Sequence, residues 1–295
     1  MKIGYNGAVA SAGDVHISVF DHGFLYGMGL FETLRTYQGR PFLLEKHLAR
    51  LAESCQRLHI RYTPDTERIA ELIRGTAEAN GLSKNVYVRL TVTAGEGGLG
   101  LPTDEYGEPH EILMVKALPE PAPGLYTSGR ELRLLRTPRN TPELGLRMKS
   151  LHYMNSIAAK RELAESGAST GSEGLMLTAE GWLAEGVVSN LFFAVNGAVY
   201  TPSLDTGILP GITREHVLHL AREAGYPVHE GRYRWEQLLD ADEVWTTNSI
   251  QELVPATQLM DTEGRTFQPK AGFSAGPIFR DLHEQYLSGT EGSGS

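Results

Sequence analysis

Glu185-Gly186-Val187-Val188-Ser189-Asn190-Leu191-Phe192 decides how this chain is read, because of what stands on either side of it. Upstream lies Lys149, in Leu146-Arg147-Met148-Lys149-Ser150-Leu151-His152-Tyr153. Downstream lies Pro210-Gly211-Ile212-Thr213-Arg214. A carboxylate, a nucleophilic amine and a glycine-led helix start suit three parts of one ligand: a protonated ring nitrogen, an aldehyde and a phosphate.

Each piece has an ordinary reading beside the chemical one. Lys149 is either a solvated surface lysine or a Schiff-base lysine made nucleophilic by desolvation. Its apolar neighbours, at the expected start of a helix from about Ser150 to Ser166, suit the second. Lys160 is the competitor, but it sits beside Arg161 and Glu162 in a polar run. Glu185 is either a loop carboxylate in water or the anion that keeps a pyridine nitrogen protonated. Ser189 and Asn190 either cap the turn or touch the ligand. Gly211-Ile212-Thr213 is either a plain helix start or an anion site, since the first amides of a helix have no internal partner and glycine lets a ligand approach. Thr246-Thr247-Asn248-Ser249 adds hydroxyl and amide donors for another side of a phosphate. Arg50 is either a surface residue or the fixed charge whose planar fork suits that phosphate. The cofactor that unites aldehyde, pyridine and phosphate is pyridoxal 5′-phosphate (PLP).

The bulk properties exclude other classes. The chain has 295 residues, 41% of them hydrophobic and 21% charged, which describes an ordinary globular protein. A net charge of −9 argues against a nucleic-acid backbone or an anionic membrane as main partner, while leaving room for a small anionic substrate in a local basic pocket. The N-terminus has no apolar run of the secretory kind, and no stretch approaches the ~20 apolar residues of a membrane span. The single cysteine, Cys55, precludes an intrachain disulfide, fits the cytoplasm, and falls on the apolar stripe of a helix, where it reads as core filler. The histidines show no metal-ligand spacing.

Working outward, residues 1–20 read as two short strands joined near Gly13-Asp14. A hairpin runs from Leu30 to Phe42, turning at Gln38-Gly39-Arg40. Leu44, Leu48, Leu51, Cys55 and Leu58 share one face of a helix from Leu43 to Leu58. A second helix spans about Asp65 to Asn80, and strands follow at Val86–Val92 and Ile112–Ala117. Three prolines in Pro119-Glu120-Pro121-Ala122-Pro123 mark a boundary. The expected organisation is an N-terminal domain over 1–118, a linker over 119–125, a C-terminal domain over 126–287 and a disordered tail over 288–295. Beyond the linker, strands are expected near 132–135, 174–177, 190–195, 199–200 and 243–246. Helices are expected from Gly211 or Ile212 to before Gly225, and from Pro277 to Leu287. Strands and helices without strict alternation indicate α+β domains.

Over residues 3–285 the chain resembles the fold-type IV PLP enzymes, which include branched-chain aminotransferases, D-amino-acid aminotransferases and aminodeoxychorismate lyases. The resemblance is carried by Asp21-His22-Gly23-Phe24-Leu25-Tyr26-Gly27, Phe31-Glu32-Thr33-Leu34-Arg35, His47-Leu48-Ala49-Arg50-Leu51, the Lys149, Glu185 and Gly211 segments above, and Asp242 to Ser249. It implies the α+β two-domain fold of the D-amino-acid aminotransferase-like enzymes, with a smaller N-terminal α/β domain, a larger barrel-like C-terminal domain, PLP between them, and a homodimer. It implies Lys149 as the Schiff-base lysine and Glu185 at the pyridine nitrogen. Arg50, the amides of Ile212 and Thr213, and Ser249 would hold the phosphate, with Asn190 and Asn248 beside the cofactor.

Within the family the segments around Phe20, Lys149, Tyr200–Leu209 and Thr247–Glu252 look most like Bacillus-type aminodeoxychorismate lyases. These convert 4-amino-4-deoxychorismate to 4-aminobenzoate and pyruvate for folate synthesis, downstream of aminodeoxychorismate synthase. D-Amino-acid aminotransferases carry an Arg-x-His trap in the loop that here reads Ala94-Gly95-Glu96-Gly97-Gly98-Leu99-Gly100-Leu101, which lacks it. Branched-chain enzymes tend to show Gly-Thr-Ala where this chain has Asn248-Ser249-Ile250. Thr33, Arg35, Arg89 and Asn248 are candidates for the substrate side, although Arg35 and Arg89 read equally as ion-pair partners. The alternatives are an aminotransferase using the same Lys149 and Glu185, and a non-catalytic PLP-binding protein.

Overall fold

The computed structural model describes residues 1–82 and 84–292, and the chain divides after Pro119. The first unit holds Met1–Pro119 together with Met148–His152, and the second holds Glu120–Arg147 and the chain from Tyr153 onward. The Lys149 segment therefore belongs with the N-terminal unit, not with the C-terminal domain in which its position in the sequence put it.

The first unit contains β1 (Lys2–Tyr5), β2 (Ala8–Ser11), α1 (His22–Tyr26), β3 (Gly29–Tyr37), β4 (Arg40–Pro41), α2 (Leu44–Arg57), α3 (Thr66–Ala79), β5 (Val86–Thr93) and β6 (His110–Ala117). β1 and β2 join at Asn6-Gly7, both at positive φ, and not at Gly13-Asp14 as expected. An Asn-Gly pair suits a tight hairpin turn that needs such φ values. The six strands form one antiparallel sheet in the order β2-β1-β6-β5-β3-β4. α2 lies against β3, and α3 against β6 and β1. Leu48, Leu51 and Cys55 from α2 and Ile69, Leu72 and Ile73 from α3 meet Leu30, Leu34, Val88, Leu90 and Leu113 from the sheet in one core. Asp65 caps α3 by accepting from the Arg68 amide.

Side chains alternate across a strand. On β3 this sends Leu30, Glu32 and Leu34 toward the helix layer and Phe31, Thr33 and Arg35 to the opposite face.

The second unit contains β7 (Arg130–Leu134), α4 (Met154–Glu165), β8 (Glu173–Leu177), β9 (Leu183–Gly186), β10 (Asn190–Val195), β11 (Ala198–Pro202), α5 (Ile212–Glu223), β12 (Val228–Gly231), α6 (Trp235–Leu239), β13 (Glu243–Asn248), β14 (Glu252–Met260), β15 (Thr266–Phe267) and α7 (Pro277–Gly292). The sheet runs β12-β11-β10-β13-β14-β7-β8-β9, and β9 returns beside β10, so it closes in barrel-like fashion. Leu132, Leu175, Leu183, Leu191, Phe193, Val244, Ala256 and Leu259 fill its core, with Trp235 and Leu238 of α6 against them. α5 and α7 pack on β13 and on each other. α7 continues to Gly292, so a helix occupies part of the span where a disordered tail was expected; residues 293–295 lie outside the described residues. Among the described residues no helix is long and apolar enough to cross a membrane.

Candidate functional site

The sequence reading placed Lys149 at the head of a helix. It lies instead on a strand-like segment well before α4, which begins at Met154. The Lys149 carbonyl accepts from the Phe31 amide at 2.9 Å, and the Leu151 amide donates to the Gly29 carbonyl at 3.0 Å. Ser150 pairs with Leu30. Met148 packs on the first unit's core, which helps hold the segment against β3. Lys149 Nζ stands 4.7 Å from the centre of the Phe31 ring, a face that accommodates a positive nitrogen. The Arg89 guanidinium lies 3.6 Å from the same ring centre. Thr33 pairs with Arg89 in register, so Thr33, Arg35 and Arg89 share the sheet face of Phe31. Arg35 itself stacks on Tyr37 at 4.4 Å.

On the helix side of β3, Arg50 donates from Nε to Glu32 Oε1 at 2.8 Å and from Nη2 to Oε2 at 2.6 Å. His47 Nδ1 stands 2.6 Å from the same Oε2. Burial pushes the Glu32 carboxyl up, but the Arg50 charge and the His47 hydrogen bond outweigh it and hold it at about 2. Burial pushes His47 down, partly offset by Glu32.

The second unit builds a different arrangement. Glu185, on β9 and 4% exposed, is a strand residue and not the loop residue of the ordinary reading. Its Oε1 accepts from Arg139 Nε at 2.8 Å, and Arg147 Nε is 3.7 Å away. Its Oε2 accepts from the Leu209 amide at 2.9 Å and from Asn190 Nδ2 at 3.2 Å. Burial and the neighbouring Arg139 charge push Arg147 down to about 10, partly offset by Glu185.

α5 starts at Ile212 with Gly211 as its cap residue, which has no side chain to satisfy the first amides. Thr213 Oγ1 and Ser249 Oγ are 3.3 Å apart, so two hydroxyls converge at that helix start. Gly211 is here for room and not for its backbone angle: its φ is −68°, but a Cβ would lie 2.0 Å from Asn190 Oδ1.

The structure therefore gathers Glu185, Asn190, Ile212, Thr213 and Ser249 through one continuous set of contacts in the second unit, and Lys149, Thr33, Arg35 and Arg89 on one sheet face of the first. Arg50 is on the other side of that sheet's β3 strand. Asn248 is committed to its own turn: Oδ1 accepts from the Ile250 and Gln251 amides at 2.9 and 2.8 Å. Asn190 is committed to Glu185 and the Leu209 carbonyl, so it supports the carboxylate. Ser189 donates to Glu173 at 3.1 Å. Lys160 is exposed on α4, and Cys55 is wholly buried with its thiol pushed up to about 12 by burial.

Sequence reasoning missed Glu32, His47, Arg139 and Arg147. Glu32 left a signal, a carboxylate at the parity of Leu30 and Leu34. Arg139 and Arg147 left none, since both lie in irregular chain between β7 and α4.

A family model described as amino-transferase class IV matches residues 29–259. The chain is 42% identical over 256 residues to the aminodeoxychorismate lyase of Bacillus subtilis (strain 168), covering 86% of this chain and 85% of that one. It is 35% identical over 287 residues to a putative branched-chain-amino-acid aminotransferase of Methanocaldococcus jannaschii, covering 97% and 95%. Among solved structures, a T.th. branched-chain amino acid aminotransferase complexed with N-(5'-phosphopyridoxyl)-L-glutamate superposes with a TM-score of 0.82 at 29% identity, covering 99% of this chain and 94% of that one.

Proposed function

The chain belongs to the amino-transferase class IV family, and we propose that within it the protein is a lyase that converts 4-amino-4-deoxychorismate to 4-aminobenzoate and pyruvate. Its cofactor is PLP. The observation that carries the lyase reading is the 42% identity to the Bacillus subtilis lyase across most of both chains. The Ala94–Leu101 loop, without an Arg-x-His pair, supports it against a D-amino-acid transaminase.

The residues fit the cofactor. The bare amides at the start of α5 and the paired hydroxyls of Thr213 and Ser249 are a donor set for a phosphate. The family resemblance assigns Arg50 to the phosphate as a fixed charge. Glu185 is the carboxylate for a pyridine N–H, held by Arg139, Asn190 and the Leu209 amide. When bound, PLP supplies an aldehyde that condenses with amines and a pyridinium that draws electrons from the carbon bearing the amine.

Lys149 would hold the cofactor through Nζ, and the same amine, once free, would take the proton from the substrate carbon bearing the amine. The electrons of the broken C–H bond form a ring double bond as the C–O bond to the enolpyruvyl group breaks. The leaving group takes up a proton and departs as pyruvate, and the remaining ring is aromatic. No oxidant is consumed. Glu185 would hold the hydrogen on the ring nitrogen. Phe31, beside Nζ, excludes water from one side of the amine and tolerates its charge. Thr33, Arg35 and Arg89 face the same side of the sheet and are assigned to the anionic substrate. By the family resemblance the working enzyme is a cytoplasmic homodimer; light scattering that gives the mass of a single chain would refute the dimer.

A second reading, a branched-chain aminotransferase, is favoured by the 35% identity to the Methanocaldococcus jannaschii relative over nearly the whole chain. It needs the same Lys149 and Glu185. The deciding experiment gives the purified protein 4-amino-4-deoxychorismate, made in place by its synthase from chorismate and glutamine, with Lys149→Ala alongside. Pyruvate and 4-aminobenzoate from wild type and none from the variant are expected. No product, together with transfer of amino groups from a branched-chain amino acid to a keto acid, replaces the lyase with the transaminase.

A further inference from the structure

Assigning Arg50 to a phosphate leaves unexplained the carboxylate that stands against it. Glu32 is 1% exposed and lies on the strand face of the core leucines Leu30 and Leu34, where an ion pair carries a desolvation cost that well-packed apolar residues in place of the whole pair would avoid. Both of its oxygens are engaged: Oε1 by Arg50 Nε, and Oε2 by Arg50 Nη2 and His47 Nδ1. The Nε–Nη2 edge of the guanidinium is thereby given to Glu32, and that two-bond fork fixes the plane of the group. A carboxylate only accepts, so His47 Nδ1 carries the hydrogen. His47 and Arg50 stand three residues apart on α2, so one helix face clamps Glu32 from two directions.

We propose that Glu32, itself fixed by His47, is a positioning residue that sets the plane and the edge with which the Arg50 guanidinium receives the phosphate. This rests on the assignment of Arg50 to the phosphate. Charge alone argues the opposite role, because a carboxylate beside Arg50 cancels the field an anion would feel. Orientation and field therefore make opposite forecasts for Glu32→Gln. The amide keeps the volume and removes the negative charge, but it turns an NH₂ group toward donors and breaks the two-bond fork.

The test titrates the full-length apoprotein with PLP and, separately, with pyridoxal, which has the same ring and aldehyde but no phosphate. Binding is read by absorbance. The ratio of the two dissociation constants reports phosphate recognition. Glu32→Gln is expected to lower the preference for PLP about ten- to a hundredfold, the range for a hydrogen bond to a charged group, with pyridoxal affinity unchanged. His47→Gln is expected to act in the same direction more weakly. Glu32→Gln is expected to add nothing in an Arg50→Ala background. A preference unchanged or increased in Glu32→Gln overturns the inference, as does equal loss for both ligands, which marks a merely structural role. If Glu32→Gln does not fold, Glu32→Asp, which keeps the charge and shortens the fork, carries the same readout. If Arg50→Ala leaves the preference untouched, the phosphate assignment falls and the inference with it. If Arg50→Ala abolishes the preference while the Glu32 and His47 variants keep it, the inference alone falls.

Discussion

Gly211→Ala isolates the role of space at the start of α5. Alanine has no difficulty with φ −68°, so the backbone is not strained by the change. The new methyl, however, arrives 2.0 Å from Asn190 Oδ1 and 3.2 Å from its Cγ, where unstrained contact needs well over 3 Å. Asn190 is 5% exposed and its Nδ2 donates to Glu185 Oε2 and to the Leu209 carbonyl, so it is not a loose side-chain end that can swing aside. Moving Oδ1 by about 1 Å costs roughly 1–3 kcal/mol of overpacking. Breaking the hydrogen bond to the carboxylate adds about 1.5–3 kcal/mol. The sum is roughly 2.5–6 kcal/mol, and at about 2–4 °C per kcal/mol the Tm should fall by at least about 5 °C. PLP affinity should fall with it, because the displaced Asn190 supports Glu185 and the methyl crowds the open amides of α5. Calorimetry and absorbance titration of the variant measure both effects. In an Asn190→Ala background the obstacle is gone, and Gly211→Ala should then cost less than about 1 kcal/mol. A Gly211→Ala variant within about 0.5 kcal/mol of wild type, or one just as damaging in the Asn190→Ala background, refutes the reasoning.

Four further outcomes follow from the structure. Glu32, held at about 2 against 4.5 for an unperturbed glutamate, contributes stability that is present above about pH 4.5 and lost as the pH falls toward 2. His47, pushed below 6.5, is protonated more readily in the unfolded chain, so its contribution also fades as the pH drops below 6.5; Tm profiles should show a loss below 6.5 that is smaller in His47→Gln, and identical profiles would contradict the burial argument. Arg139→Met removes the 2.8 Å contact to Glu185 Oε1 and leaves Arg147 at 3.7 Å; kcat should fall at least about tenfold, read by steady-state kinetics, and an unchanged kcat would show that Glu185 does not need this partner. Leu51→Ala, at a position 1% exposed in the first unit's core, should cost about 2–5 kcal/mol in denaturant unfolding, with a smaller loss pointing to collapse of the helix layer.

The elements that follow local rules were legible. α2 shows a four-and-three apolar stripe, α3 has Asp65 at its cap, and β5 sets Val86, Val88, Leu90 and Val92 at alternate positions. β14 was not legible, because Pro255 argues against an interior strand. Pro255 faces Trp245 one residue before the β7 ladder begins at Ala256, next to a register shift, which is where a missing N–H is tolerated. Lys149 was misplaced for a related reason. Ser150 reads as the start of a helix, but the backbone around it bonds to β3, far away in sequence, and such pairing leaves no local trace. The chemistry divides the same way. Lys149, Glu185 and Gly211 could be singled out because amine, carboxylate and bare helix start each announce a function by type. Their supports could not, since Arg139 and Arg147 come from irregular chain and reach Glu185 only through the fold. Glu32 lies between these cases. A charge at the parity of two core leucines must be partnered, and the helix that packs over β3 carries both a histidine and an arginine on adjoining positions of one face. That network was therefore derivable from periodicity alone once α2 had been laid on β3, and it connects the fold of the first unit to the residue assigned to the phosphate.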